Sequence, residues 1–122
     1  MALTQKRLSG ASSPTQLTTA SSVIYTVPQS TTSIIKQIIL TNTTNSAKTV
    51  TVRLKPANVA EANTHDILSA LSVAANETVT FNCSMVLNNN GSTANNTNSD
   101  QITALCSSNT AINIAVFGIE ET

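Results

Sequence analysis

The clearest alternation of apolar and polar positions runs from residue 33 to residue 55. The first half reads Ser33-Ile-Ile-Lys-Gln-Ile-Ile-Leu-Thr-Asn-Thr43 and the second Lys48-Thr-Val-Thr-Val-Arg-Leu-Lys55. β-Branched residues dominate both halves and turn formers fill 43 to 47, so the pattern predicts two strands joined by a short polar turn. In the second strand Val50, Val52 and Leu54 fall on one face and Thr49, Thr51 and Arg53 on the other. One face suits a core and the other suits water. In the first strand Ile34, Ile38 and Leu40 share a face, while Ile35 and Ile39 make the opposite face apolar too. That second apolar face predicts a further contact, either within the chain or with another subunit.

The same reading extends along the chain. Residues 1–20 are rich in Ser and Thr, with Leu3, Leu8 and Leu17 set apart and no period that would bury a face. They form either a frayed terminus or an extended arm that orders on a neighbouring subunit, with Leu3 and Leu8 as anchors and Lys6 and Arg7 as polar contacts. Residues 21–122 are then the folded domain. Val23 to Val27 is a short strand ended by Pro28, Pro56 ends the ladder after Leu54, His65 to Leu71 is a short strand or one helical turn, with strand favoured, and Thr78 to Leu87 is a further strand. Asn88 to Ser99 is polar almost throughout, which predicts an exposed loop. Gln101 to Cys106 and Ala111 to Ile119 follow as the last strands. In the final one Ile112, Ile114 and Val116 face one way and Ala115, Phe117 and Ile119 the other, as expected of a central strand or one covered by a partner. About seven or eight strands at intervals of roughly ten residues predict an all-β protein, a single antiparallel β-sandwich of immunoglobulin-like or jelly-roll-like type. Ile35, Ile39, Phe117 and Ile119, with the arm, are the candidate interface residues.

Composition sharpens this picture. In 122 residues, Ser, Thr and Asn make up about four in ten, against 10% charged and 2% aromatic residues. Hydroxyl and amide groups therefore carry much of the surface polarity. With a formal net charge of zero, nothing steers the chain toward nucleic acid or an anionic membrane, and low charge favours self-association. The N-terminus has basic residues without an apolar run after them, and the apolar runs elsewhere are far shorter than a membrane span.

Chemistry is sparse. The single His65 neighbours Asp66, but adjacent strand residues point to opposite faces, so the two do not form an oriented acid/base pair. No Gly-rich phosphate loop and no metal-ligand spacing occurs, so the sequence implies neither an enzyme nor a cofactor. Asp100, Glu120 and Glu121 read as solvent-exposed. Cys83 and Cys106 fall on faces assigned to the core, as buried thiols or as a disulfide if their Cα atoms lie within range.

Several stretches together, Val23-Ile-Tyr-Thr-Val-Pro28, Thr31-Thr-Ser-Ile-Ile-Lys-Gln-Ile-Ile-Leu-Thr-Asn-Thr43, Val50-Thr-Val-Arg-Leu54 and Val116-Phe-Gly-Ile-Glu120, resemble a group of small bacteriophage structural proteins. The start, Ala2-Leu-Thr-Gln-Lys-Arg-Leu8, is similar too. The resemblance implies a non-enzymatic virion protein assembled in the host bacterial cytoplasm. Its role there is a head decoration protein or a collar or tail accessory protein, packed against capsid, neck or tail subunits and copies of itself. The alternative is a module at the tail tip or fibre that binds a host surface glycan through its polar loops. Low aromatic content counts against that alternative, because sugar faces stack on aromatic rings and Tyr25 is the only Tyr or Trp.

Overall fold

A computed structural model describes residues 3–8, 15–89, 91 and 98–122. The described chain holds nine strands: β1 (Leu3–Arg7), β2 (Thr15–Gln16), β3 (Ser22–Thr26), β4 (Thr32–Asn42), β5 (Lys48–Lys55), β6 (Asp66–Val73), β7 (Thr78–Asn88), β8 (Gln101–Cys106) and β9 (Ile112–Glu121). One 3-10 turn, Asn63–His65, precedes β6. His65 thus belongs to a helical turn, the less favoured alternative for its segment, and Asp66 onward forms the favoured strand.

The strands form two antiparallel sheets packed as a β-sandwich. One has the order β1-β9-β4-β7 with β2 also paired to β9, and the other has the order β3-β8-β5-β6. The pairing is nested: β1 and β2 lie on β9, β3 on β8, β4 on β7, and β5 on β6. A long hairpin wrapped over itself produces this arrangement. Of the two architectures the pattern allows, the chain therefore adopts the jelly roll. The described parts of the arm, β1 and β2, pair with β9 at the edge of the first sheet.

The core lies between the sheets. Ile35, Ile38 and Leu40 of β4, Val52 of β5, Ile102 of β8 and Ile112 and Ile114 of β9 have no exposed surface. Burying each such side chain contributes about 1.5–3 kcal/mol against leaving it in water. β9 carries apolar residues on both faces because it is central, between the arm and β4.

β4 departs from the predicted faces. Its register slips between Ile35 and Gln37 against both β7 and β9, so Lys36 sits in a bulge. A bulge adds one residue to a period of two and reverses the faces beyond it. Ile35 therefore joins Ile38 and Leu40 in the core, and Ile34, predicted to share their face, is half-buried outside with Ile39.

Most of the Asn-rich run, residues 90 and 92–97, lies outside the described residues. Near its two ends Asn89 and Ser99 are buried rather than exposed. Asn89 and Ser99 form a bridge, and Asn89 Nδ2 and Ser99 Oγ both donate to the carbonyl of Val27, at 3.1 and 2.9 Å. Hydrogen bonding rather than apolar area holds these polar side chains inside.

Candidate functional site

On the outer face of the first sheet, where β1 meets β9, lies a groove of about 450 Å3 lined by Gln5, Lys6, Arg7, Lys36, Phe117, Gly118 and Ile119. It gathers Lys6, Arg7, Phe117 and Ile119 of the predicted interface set. Leu3 stands 65% exposed at the start of β1, and Ile39 is half-buried further along the same face. Two predicted contacts point inward instead: Leu8 is buried against the core, and Ile35 is enclosed within its own chain by the β4 bulge.

Beneath the groove a polar cluster ties four strands together. Glu120 follows the inward series Ile112, Ile114, Val116 on β9, so its carboxylate enters the sandwich and is only 8% exposed. The Tyr25 hydroxyl, from the opposite sheet, donates to Glu120 Oε2 and also meets Ser33 Oγ at 2.6 Å. Lys6 Nζ reaches Glu120 Oε1 at 2.6 Å. Burial, and then the Glu120 carboxylate beside it, push the Tyr25 phenol well above its ordinary range, so it stays a donor. Sequence reasoning treated Glu120 as an exposed tail residue. The period of two along β9 was the signal that placed it inside. Asp100 is likewise engaged, accepting from the backbone N–H of Ala57 and Asn88 at 3.0 and 2.9 Å.

A second charged cluster fastens the segment after β5 to the other sheet. Arg53 Nε donates to Asp66 Oδ1 at 2.7 Å, and Nη1 lies 3.6 Å from Glu61 Oε2. The Arg53 hydrogen bond holds the Asp66 carboxyl below its usual range. Burial acts to raise Glu61, but hydrogen bonds, that from Ser21 Oγ among them, and the Arg53 charge outweigh it, so Glu61 is lowered as well. Carboxyls depressed in the folded state stabilise the fold above their unfolded pKa, roughly 4. That contribution is lost as pH falls through the folded values. The melting temperature is therefore expected to drop on acidification from about pH 5 to pH 3, and Arg53→Ala to flatten that drop. Scanning calorimetry across the range checks both. With Asp66 committed to Arg53, His65 and Asp66 form no acid/base unit.

Neither cysteine is in a disulfide. Cys106 is buried with its Sγ–H donating to the carbonyl of Ser108 at 2.8 Å, and Cys83 is half-buried on β7, donating to the carbonyl of Ile35 at 3.4 Å. Burial pushes the Cys83 thiol up, with Lys36 opposing, so the thiolate needed for exchange is scarce there. Among the described residues no group of His, Cys, Asp and Glu could hold a metal ion, and no helix is long and apolar enough to cross a membrane.

The sheet edges differ sharply. β1 carries Lys6 and Arg7. β6 carries Asp66, two register shifts against β5, and Ala70 at a φ of 48°. β7 is different: 11 residues without a charge or a proline, paired among the described residues only with β4, and bearing Val86 at 55% exposure. β3 at the edge of the other sheet is short, uncharged and carries Val23, also 55% exposed.

With two open, uncharged edges on a jelly roll, the comparisons become informative. No family model matches the sequence, and no curated protein matches it. A solved structure does. It is a Bacillus endospore appendage, from work describing these appendages as a family of disulfide-linked pili, and it matches over 98% of this chain and 88% of its own, with a TM-score of 0.54 and 14% identity. The chain shares that appendage's fold. This finding overturns the resemblance to bacteriophage proteins: what superimposes on almost the whole chain comes from a spore appendage, not a virion. The head, collar and tail roles, the tail-tip glycan module, the capsid, neck and tail partners and the virion location fall with it. The stretches that carried the resemblance are β-branched strand sequences shaped by period and burial, and such constraints recur in unrelated sandwiches.

Proposed function

We propose that this chain is a non-enzymatic structural protein that polymerises with copies of itself into an appendage fibre. The observation that carries the proposal is the β7 edge. A long, uncharged edge strand presents unpaired N–H and C=O groups, and proteins that must stay monomeric blunt such edges with charges, prolines or irregular backbone. β1 and β6 carry charged side chains, whereas β7 carries neither a charge nor a proline along 11 residues, with one register shift in its ladder with β4. Pairing β7 of one copy with β3 of the next joins two different surfaces. A heterologous contact of that kind propagates as a fibre wherever its rotation does not close a ring. The shared fold with an appendage described as a pilus supports the same reading. That appendage is described as disulfide-linked; here Cys106 is buried and Cys83 half-buried, and the two are not bonded to each other.

Ser84→Lys with Val86→Lys places two like charges on the solvent face of β7, where each new joint would bring them against a neighbour. The pair is expected to raise the concentration needed for fibre growth at least about tenfold, since ~1.4 kcal/mol per joint is a factor of ten. The melting temperature of the single chain should stay within a few degrees. Electron microscopy and light scattering read the outcome. An unsubstituted chain that remains monomeric at high concentration under all conditions would refute self-assembly.

A further inference from the structure

Of the three aromatic residues in the chain, one stays outside the core. Tyr25 belongs to the buried cluster between the sheets and Phe81 packs against that cluster, whereas Phe117 is half-buried on the outer face of β9, where it lines the groove with Ile119. The apolar surface continues past the groove. Ile119 stands opposite Ile34 on β4, and Ile34 stands opposite Val86 on β7, so an apolar row crosses three strands on the outer face. Neighbouring strands lie ~4.8 Å apart, which makes the row ~10 Å long.

Cations stand at one end of this row. Arg7 is opposite Phe117 in the register of β1 with β9. Lys36 is the extra residue of the bulge, inserted between Ile35 opposite Gly118 and Gln37 opposite Phe117, and a bulge of this kind re-aims a side chain. Both line the groove, and its described lining residues include Lys6 but no acid. Glu120 already neutralises Lys6 from beneath. Lys36 is exposed, and the Arg7 guanidinium has five donors to distribute. A second copy of the chain has little to set against this charge. Asp66 and Glu61 pair with Arg53, Asp100 and Glu77 accept from backbone N–H groups, and Glu121 is a single carboxylate on β9 itself.

We propose that the groove and its apolar row bind a single-chain amphiphilic anion, a medium-chain carboxylate. Its carboxylate sits on Lys36 and Arg7, and its chain lies over Phe117, Ile119 and Ile34 toward Val86. The charge fixes the head and the apolar row orients the tail, the division of labour usual in small-ligand sites. A volume of about 450 Å3 falls within the range of such sites, roughly 300–1,000 Å3. The site lies within one chain, so the inference goes beyond self-assembly and does not depend on it.

Isothermal titration calorimetry of the full chain with decanoate, kept below its micelle concentration, is expected to show saturable binding of one molecule per chain. Decanol keeps the tail without the charge and acetate keeps the charge without the tail, so each should bind at least about tenfold more weakly. Lys36→Gln should weaken decanoate at least about fivefold and leave decanol unchanged. Its melting temperature should match that of the unsubstituted chain, because Lys36 is exposed. Phe117→Ser should weaken decanoate and decanol alike. No saturable binding of decanoate, equal affinity for decanol, or an unchanged affinity in Lys36→Gln each overturns the assignment. Binding of hexaglutamate or of anionic phospholipid vesicles in place of decanoate overturns it too, and gives the cations to an acidic peptide or to a membrane surface.

Discussion

Replacing Gly118 by alanine is expected to destabilise the protein by about 3 kcal/mol, at the upper end of ordinary overpacking, and to lower its melting temperature by roughly 10 °C. The reason is the β4 bulge. Where β4 and β9 slip by one residue around Lys36, the backbone of β4 presses onto β9, and an alanine Cβ at 118 would lie 2.2 Å from the carbonyl oxygen of Ile34. Backbone in the middle of a sheet cannot swing aside as a side-chain tip can. The Leu8 methyl, 2.9 Å away, is the softer of the two contacts. Adding Leu8→Ala to Gly118→Ala should therefore recover less than half of the loss, a coupling that chemical denaturation of the single and double variants measures. Full recovery would place the strain in the arm and contradict the close approach of Ile34.

Ile35→Ala should cost about 3–4 kcal/mol, within the 2–5 typical of emptying a fully buried isoleucine site, whereas Ile39→Ala should cost about 1 kcal/mol or less. Both residues lie on β4 four positions apart, and an unbroken strand would give them the same face and similar penalties. The bulge separates them: Ile35 has no exposed surface and Ile39 is half-buried on the outside. Urea titrations of the two variants beside Ile34→Ala test the placement. An Ile34→Ala penalty larger than that of Ile35→Ala would show that the strand runs without the bulge.

These two positions bear on the outer groove and the seat of the arm as well as on stability. Lys36, lifted out by the bulge, joins Lys6, Arg7, Phe117 and Ile119 around the outer groove, while Gly118 and Glu120 receive the arm from beneath. One backbone irregularity therefore sets both the shape of the groove and the socket for β1.

The sequence by itself determined the class of structure. Strict alternation at Val50, Val52 and Leu54, stretches of five to ten residues rich in β-branched side chains, and prolines at strand ends point to apolar area buried between two packed sheets. The period of two along β9 was legible too, and it carried the placement of Glu120, which was misjudged because acidic residues near a chain end are ordinarily solvated. What only the tertiary structure decided are features that depend on residues far apart in the chain. The choice of jelly roll over immunoglobulin-like sandwich lies in the nesting of first strand on last. No local preference encodes that order, because every strand would pair as readily with a different neighbour. The bulge at Lys36 balances one lost ladder position against the packing of Ile35 on the opposite sheet, an energy that exists only once both sheets are present. Tyr25 and Glu120, 95 residues apart, meet for the same reason: the buried carboxylate becomes tolerable only when the other sheet delivers its hydroxyl and the arm its ammonium.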